Sequence, residues 1–223
     1  MENHKHCLKE IEDLKNHNHC SKGMEHLQHH KHCSNGIGHL EGKISFLDNP
    51  ERRSVFPPEE LLEMIPIKKT DNVLDLGAGT GYLTIPAAQV SEGTVYALDI
   101  DPKMLKIIDT KAKNDNITNI KCLEGSLDDI KLSDSSIDVV LASLVLHEIN
   151  PLSKAFKQVK DVLKEGGHFL CLEFEKEESS TNGAPSHIRI HSSTMEQELI
   201  NVGFTIEQKL FPKDSLYVII AKK

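Results

Sequence analysis

Short apolar runs alternate with amphipathic segments along most of the chain. Runs rich in Val, Ile and Leu predict strands at residues 73–76, 94–100, 120–125, 136–143 and 168–174. Segments with apolar residues at helical spacing predict helices at residues 59–65, 82–90, 101–114, 151–164 and 194–202. Two last runs, 204–211 and 215–221, flank a turn and predict a closing antiparallel hairpin. This alternation predicts an α/β fold with a mostly parallel sheet.

Residues at the ends of two of these helices predict how the helices are capped. Gly166 and Gly167 follow the helix at 151–164, and glycine is the residue most often found just past a helix end. Ser192 or Ser193 stands where the last helix should begin, and a serine side chain caps free N–H groups well. We therefore expect the glycine pair to end the former helix and a serine to begin the latter.

A glycine-rich turn follows the strand at 73–76. Gly77, Gly79 and Gly81 stand at alternate positions, and a glycine allows positive φ and close approach of a ligand. Asp99 ends the next strand, where a carboxylate can accept hydrogen bonds from a ribose diol. Tyr82 stands where a dinucleotide motif has its third glycine. The pattern therefore predicts a nucleotide-type ligand other than a dinucleotide.

The residues at 73–81, Val-Leu-Asp-Leu-Gly-Ala-Gly-Thr-Gly, and at 96–101, Tyr-Ala-Leu-Asp-Ile-Asp, carry a family resemblance. Together they resemble the class I S-adenosylmethionine-dependent methyltransferases, in particular the small-molecule branch akin to menaquinone and ubiquinone C-methyltransferases. The resemblance covers about residues 44–223. It implies a Rossmann-like fold with a mostly parallel seven-stranded sheet and helices on both faces. It also implies that S-adenosyl-L-methionine is the cofactor and that a small molecule accepts the methyl group.

The resemblance assigns cofactor roles by position. Residues 77–81 would cradle the methionine part, with Asp75 near its amino group. Asp99 would hold the ribose hydroxyls, Ile100 would pack on the adenine, and the residues after the third and fourth strands would complete the site. Where the family commonly has an acidic residue, this chain has Ser126. The implied cofactor-binding residues are Asp75, Gly77, Ala78, Gly79, Thr80, Gly81, Asp99, Ile100, Ser126, Leu127, Ala142 and Ser143.

Three polar residues near the ends of strands four and five are the catalytic candidates. His147, Glu148 and Glu173 would flank the acceptor, with His147 as a general base or an orienting group. A structural histidine and a solvated strand end are the alternative interpretations of His147 and Glu173. Residues 187–191 alternate basic and apolar groups and could border the acceptor pocket. The Asn/Asp-Pro-Pro-aromatic motif of adenine-N6 and glutamine methyltransferases is absent after strand four.

Composition narrows the class of protein. The formal net charge is −8, which argues against nucleic acid as the main partner. No apolar run approaches the length of a membrane span, and no signal peptide is recognisable, so we expect a soluble cytoplasmic protein with no membrane partner. The five cysteines suggest thiols or metal ligands rather than a disulfide framework, with Cys122 as a buried structural thiol.

The first 43 residues differ from the rest of the chain. The motif His-x-His-Cys occurs three times with a period of 13 residues, and the spacers carry aliphatic residues in matching phase. Three short helices with thin apolar stripes cannot hold together unaided, and a bound metal would stabilise them. The predicted ligands are His4, His6, Cys7, His17, His19, Cys20, His30, His32 and Cys33.

The repeat indicates metal binding more clearly than it identifies the metal. Thiolate and imidazole ligands favour a transition metal, with Zn²⁺ first and copper or nickel as alternatives. A disordered histidine-rich tail that picks up metal adventitiously is the simpler interpretation, although it does not require phased aliphatic residues. We therefore divide the chain into a metal-binding module at 1–43 and a methyltransferase domain at 44–223.

These expectations combine into one functional hypothesis and one rival. The chain would methylate a small molecule, with a thiol or a metalloid among the candidates, and the metal-binding module would regulate or supply the site. The rival is a metal-buffering or metal-sensing protein whose methyltransferase-like domain binds the cofactor without turnover.

Overall fold

A computed structural model of the protein describes residues 41–45, 47–50, 56–176, 186–213 and 215–223. In these ranges the strands are β1 (Val73–Leu76), β2 (Val95–Asp99), β3 (Ile120–Glu124), β4 (Ile137–Ser143), β5 (Leu163–Phe174), β6 (Thr205–Lys213) and β7 (Leu216–Lys222). The α-helices from residue 56 onward are α1 (Pro58–Glu63), α2 (Thr84–Val90), α3 (Pro102–Asn114), α4 (Leu152–Val162) and α5 (Ser192–Val202). No helix within the described ranges is long and apolar enough to cross a membrane.

The sheet confirms the predicted α/β architecture. Its seven strands lie in the order β3-β2-β1-β4-β5-β7-β6. The first five of these run parallel, while β7 runs antiparallel to both β5 and β6. The strand order reverses at β1, between β2 and β4, and ligands of open α/β sheets bind at such a point beyond the carboxyl ends of the strands. The glycine turn follows β1 and therefore lies at this point.

Both faces of the sheet are covered by apolar side chains. Along β5, Phe169 and Cys171 pack on one face, and Leu170 and Leu172 pack on the other. Phe156 from α4 meets the ring of Phe169 edge-on, with the ring centroids 6.0 Å apart. A strand buried on both faces explains why the sequence shows continuous apolar runs rather than strict alternation.

The predicted glycine cap of the helix at 151–164 is wrong. The helix ends at Val162, and Leu163 already has extended backbone. Gly166 and Gly167 instead lie inside β5, where the pairing with β4 shifts register. Gly166 has a φ of 76°, and a Cβ on Gly167 would lie 2.9 Å from the Asp138 carbonyl oxygen. The glycines are therefore needed for an irregularity in the strand.

Two further local predictions also need correction. Neither serine caps α5: His191 occupies the cap position, and the Glu175 carboxylate accepts a hydrogen bond from the Ser192 N–H at 3.1 Å. The helix is thus capped from the end of β5, a contact across 17 residues that the local sequence does not reveal. Cys122 is exposed rather than buried. It lies on β3, which is an edge strand of the sheet.

Candidate cofactor and acceptor site

The glycine turn has the geometry that its sequence predicted. Gly77, Gly79 and Gly81 have φ values of 61°, 53° and 89°, in the region that side chains other than glycine adopt at a cost. A Cβ on Gly77 would lie 2.3 Å from the Cγ2 atom of Val145. Glycine is therefore required at Gly77 both for its backbone conformation and for close packing against the segment after β4.

Asp99 holds this turn from the neighbouring strand. One carboxylate oxygen of Asp99 accepts a hydrogen bond from the Gly79 N–H at 2.8 Å, and the other accepts one from the Asp101 N–H at 2.9 Å. The Ala78 N–H also donates to the Leu98 carbonyl at 2.9 Å. The turn after β1 and the end of β2 thus form one unit, as a site between these two strands requires. Each carboxylate oxygen retains a lone pair for a ligand hydroxyl.

Asp75 lies beneath the turn rather than on its surface. Its side chain is buried, and it accepts a hydrogen bond from the Thr84 hydroxyl at 2.6 Å. Burial raises the pKa of Asp75 to about 7; the hydrogen bonds from Thr84 lower it, and the charge of Asp99 raises it further. A cationic ligand at the turn would favour the ionised carboxylate, which agrees with the predicted place of the amino group.

The adenine side of the predicted site is assembled from the ends of β2 and β3. The Gly125 N–H donates to the Asp99 carbonyl at 3.1 Å. This hydrogen bond brings the residue after β3 next to Asp99, whose carboxylate is predicted to bind the ribose hydroxyls. Ile100 is 71% exposed, so its apolar side chain is available for stacking. Leu127 is buried in the hydrophobic core, where it supports the adenine side of the predicted site.

The Ser126 hydroxyl is directed to Asp128. It donates a hydrogen bond to the Asp128 carboxylate, which also accepts one from the Lys154 ammonium. These two hydrogen bonds, from Lys154 first and from Ser126 second, hold the pKa of Asp128 below its usual value. An acidic group therefore stands beside Ser126 although Ser126 itself is not acidic, and sequence position alone did not reveal this pairing.

The end of β4 connects the cofactor turn to the acceptor side. Ala142 is fully buried and Ser143 partly so. Leu144 has a φ of 55°, and its N–H donates to the Leu172 carbonyl at 2.9 Å. Val145 then packs on the glycine turn, two residues before His147. The predicted catalytic histidine is thus positioned by the same segment that closes on the turn.

His147 and Glu173 form a buried pair. The Nδ1 atom of His147 lies 2.9 Å from Oε2 of Glu173, and the other carboxylate oxygen accepts the Leu146 N–H at 2.7 Å and the His147 N–H at 3.4 Å. The exposed fraction of the side chain is 9% for His147 and 1% for Glu173. Glu173 is therefore not the solvated strand end that was considered as an alternative.

Electrostatics favours the charged form of this histidine. Burial acts to lower the pKa of His147, but the hydrogen bond and charge of Glu173, together with the charge of Glu148, outweigh it and raise the pKa above 6.5. Glu148 itself is exposed and lies in the same 3₁₀ turn, Leu146–Glu148. The structure thus joins His147 to Glu173 directly, whereas Glu148 acts on the pair only through its charge.

Tyr217 adds a polar group to the face that carries Glu173. The two residues are directly opposite each other in the β5–β7 pairing, so their side chains project to the same face. Within the described residues, the Tyr217 hydroxyl is the one buried side-chain oxygen or nitrogen without a hydrogen-bond partner. Burial raises its pKa, with the nearby Cys171 and Glu173 acting in the same direction. The hydroxyl therefore remains a neutral donor beside the acid.

The basic segment at 187–191 lies against the end of β5. Arg189 is buried, its guanidinium lies over the Phe174 ring at 5.0 Å, and it donates to the Glu175 carbonyl at 3.3 Å. His191 is largely exposed and lies 3.3 Å from the Glu175 carboxylate. The segment thus borders the strand end that carries Glu173.

Asp48 contacts the glycine turn, although it belongs to none of the predicted elements or motifs. It accepts a hydrogen bond from the Thr80 hydroxyl at 2.7 Å and pairs with the Lys111 ammonium at 2.9 Å. Its partner on α3 is 63 residues away in sequence. The sequence does not reveal this contact, because an acidic residue before the first strand has no fixed spacing from the glycine turn.

The predicted metal ligands at residues 4–33 lie outside the described residues. Within the ranges that the structure does describe, no group of three or more His, Cys, Asp or Glu side chains could hold a metal ion. The metal prediction therefore rests on the repeated sequence pattern alone.

Comparison with known proteins gives matches to methyltransferases. The methyltransferase domain family matches residues 67–211. A ubiquinone/menaquinone biosynthesis C-methyltransferase from Marinomonas sp. is 36% identical over 110 residues, which are 48% of this chain and 44% of that protein. A demethylmenaquinone methyltransferase from Geobacillus stearothermophilus is 30% identical over 124 residues, or 55% of this chain and 53% of that protein. The chain thus matches about half the length of these curated relatives.

Solved structures show the same fold. An S-adenosylmethionine-dependent methyltransferase from Aquifex aeolicus superimposes with a TM-score of 0.74 at 24% identity, over 81% of this chain and 97% of that one. The cyclase SpnF superimposes with a TM-score of 0.66 at 16% identity, over 74% of this chain and 79% of that one. A fold shared with a cyclase does not by itself define the reaction.

Proposed function

This chain belongs to the methyltransferase domain family, and from that premise we propose that it transfers the sulfonium methyl group of S-adenosyl-L-methionine to a small-molecule nucleophile. The observation that carries the proposal is the glycine turn, with three positive φ values, tied to Asp99 through the Gly79 N–H at 2.8 Å. It supplies a close backbone approach and a carboxylate at the reversal of strand order, where the cofactor of this family would lie.

Each group in the site has a definite task in this reaction. When bound, the cofactor would supply an electrophilic methyl group whose leaving group is a neutral thioether. Asp99 and the glycine turn fix the orientation of the donor, which is a large part of catalysis when two reactants must be aligned. His147 takes the proton that the acceptor loses, at Nε2, because Nδ1 donates to Glu173. Glu173 orients the ring and stabilises the imidazolium that results.

A small, weakly acidic nucleophile fits this arrangement best. One curated relative is named as a C-methyltransferase of ubiquinone/menaquinone biosynthesis and the other as a demethylmenaquinone methyltransferase, which favours a quinol ring. The preceding His/Cys repeat favours a thiol or a metalloid instead. The test is formation of S-adenosylhomocysteine with demethylated naphthoquinol, a dithiol and arsenite as separate acceptors. Turnover above the acceptor-free rate with any of them supports the proposal. Saturable cofactor binding without turnover on a broad acceptor panel would favour the rival.

A second candidate function is metal binding by residues 1–43, which would regulate or supply the methyl-transfer site. The observation that favours it is the threefold His-x-His-Cys motif with a period of 13 residues. Zn²⁺ is the expected ion, with copper or nickel as alternatives, and a thiolate–imidazole set fits all three. Elemental analysis of tag-free protein, beside a variant that begins at Lys43, tests it. Stoichiometric metal lost on truncation supports the module, and equal trace metal in both proteins opposes it.

The rival function is metal buffering or sensing with cofactor binding but no turnover. Two observations keep it open: Ser126 stands where the family commonly has an acid, and the fold is shared with the cyclase SpnF. The buried His147–Glu173 pair favours the enzyme instead, because a binding module has no need of an oriented base. We place the protein in the cytoplasm and expect neither nucleic acid nor a membrane as its partner.

A further inference from the structure

Residues 41–45, 47 and 48, called the strap here, lie against the predicted cofactor site. Residues 41–45 are helical, and the Asp48 N–H donates to the Ile44 carbonyl at 2.8 Å. The Lys43 ammonium lies 3.5 Å from the carboxylate of Asp101, which follows the proposed ribose and adenine residues. A methyl carbon of Leu47 lies 3.4 Å from where a Cβ on Gly79 would be. The strap thus touches both sides of the site.

Asp48 closes a ring of hydrogen bonds around Thr80. Its carboxylate accepts the Thr80 hydroxyl at 2.7 Å and the Lys111 ammonium at 2.9 and 3.0 Å. Lys111 also donates to the Thr80 carbonyl at 2.8 Å. The hydroxyl and the carbonyl of Thr80 are therefore both bound, the first by the strap and the second by α3.

This ring acts on the most adaptable part of the turn. Thr80 stands between two glycines with positive φ, where the backbone has more conformational freedom than elsewhere. On one side the turn is held by the hydrogen bond of Gly79 to Asp99, and on the other side Thr80 binds it to Asp48 of the strap. Loss of the outer contact would free the turn to leave the conformation that receives the cofactor.

The ion pair in the ring is sheltered compared with others on the same helix. The exposed side-chain fractions are 24% for Lys111 and 28% for Asp48, against 74% and 52% for the Lys113–Asp109 pair. Solvent screens an exposed pair almost completely, so the sheltered pair contributes more. Lys113 and Asp109 on α3 therefore provide a matched control.

We propose that Asp48 is a positioning residue for the cofactor, which locks the Thr80 turn together with Lys111, and that it makes cofactor affinity depend on the strap. The proposal rests on the proposed methyltransferase function. It also connects the His/Cys repeat to the cofactor site, because the strap follows the repeat directly in the sequence. Metal binding by the repeat would then alter cofactor affinity, and cofactor binding would alter metal affinity by the same factor.

The test is calorimetric titration of S-adenosyl-L-methionine into the full chain. Asp48→Asn and Lys111→Met should each raise the dissociation constant about tenfold, because each removes a charge-assisted hydrogen bond from the turn. The double variant should be no worse than the weaker single variant, since both changes break one ring. Asp109→Asn should bind the cofactor as the unaltered protein does.

The outcomes separate this proposal from the function on which it rests. If the unaltered chain shows no saturable cofactor binding, the proposed function itself fails. If it binds but Asp48→Asn and Lys111→Met stay within twofold, the ring is structural only and the proposal is wrong. If both variants bind more tightly, the strap competes with the cofactor, which also contradicts it. Thermal unfolding identifies a variant that fails to fold, and if Asp48→Asn is that variant, the affinity of Lys111→Met decides.

Discussion

The carboxylate of Glu173 holds His147 at two points, through the ring Nδ1 at 2.9 Å and through the backbone N–H at 3.4 Å. The same carboxylate accepts the N–H of Leu146, so a buried acid fixes both the imidazole and the 3₁₀ turn that carries it. A histidine held in this way presents Nε2 as its proton acceptor. It also lies two residues beyond Val145, which packs on the glycine turn.

The first prediction concerns the pH dependence of turnover. The pKa of His147 is raised, so methyl transfer should increase with pH through an apparent pKa above 6.5 as the ring loses its proton. Glu173→Gln removes the charge that raises the pKa, so the rising limb should move to lower pH. The rate should also fall roughly a hundredfold, because the ring loses its oriented tautomer. Steady-state rates between pH 5 and 9 measure both effects, and a purely structural Glu173 would leave the limb in place.

Asp75 gives a prediction about stability and pH. Its pKa is raised to about 7 in the folded protein, so burial of the neutral acid costs little at low pH, and stability falls as pH rises from the ordinary aspartate pKa of about 4 to about 7, above which it levels off. Asp75→Asn should therefore raise the free energy of unfolding at pH 8 by roughly 2–4 kcal/mol, with a smaller gain near pH 5. It should also weaken cofactor binding, since the ligand amino group loses a carboxylate.

Denaturant unfolding at pH 5 and 8 checks the Asp75 prediction. The asparagine oxygen can still accept the Thr84 hydroxyl, so the substitution does not remove that hydrogen bond. Equal effects at both pH values would show that the carboxyl is not neutral in the folded protein.

Gly77 should tolerate no side chain. An added Cβ would lie 2.3 Å from Val145 Cγ2, and the φ of 61° disfavours any other residue. Gly77→Ala should lower the free energy of unfolding by about 2–4 kcal/mol. Val145→Ala in the same chain should recover only the steric part of this loss. Gly42→Ala is the control, because a Cβ there meets nothing within 4 Å, and it should change stability by less than about 1 kcal/mol.

The His/Cys repeat provides a prediction about metal. Replacing Cys7, Cys20 and Cys33 by Ser should abolish stoichiometric binding of Zn²⁺, because thiolates are the strongest of the predicted ligands. Through the strap, Zn²⁺ should tighten S-adenosyl-L-methionine binding about fivefold or more in the unaltered chain and leave the triple variant unaffected. Titrations with and without Zn²⁺ measure this coupling. Identical cofactor affinity in all four conditions would show that metal binding by the repeat has no effect on the cofactor site.

Local motifs predicted the parts of this structure that depend on local sequence. The glycine turn and Asp99 were correct in position because each lies at the end of a short apolar strand with a fixed spacing. The burial of Glu173 was not predictable, because it depends on β7 and on the turn after β4 closing over it. Gly166 and Gly167 were misassigned because their conformation is set by pairing with β4, not by the helix before them. The contact of Asp48 with Lys111 spans 63 residues and has no local signature.

Equilibrium binding of S-adenosyl-L-methionine tests whether the glycine turn and Asp99 form a cofactor site. We expect saturable one-to-one binding, weakened about tenfold or more in Asp99→Asn, because that change removes the charge of the carboxylate that would bind the ribose hydroxyls and that accepts the Gly79 N–H. Absence of saturable binding, or equal affinity in Asp99→Asn, would contradict it.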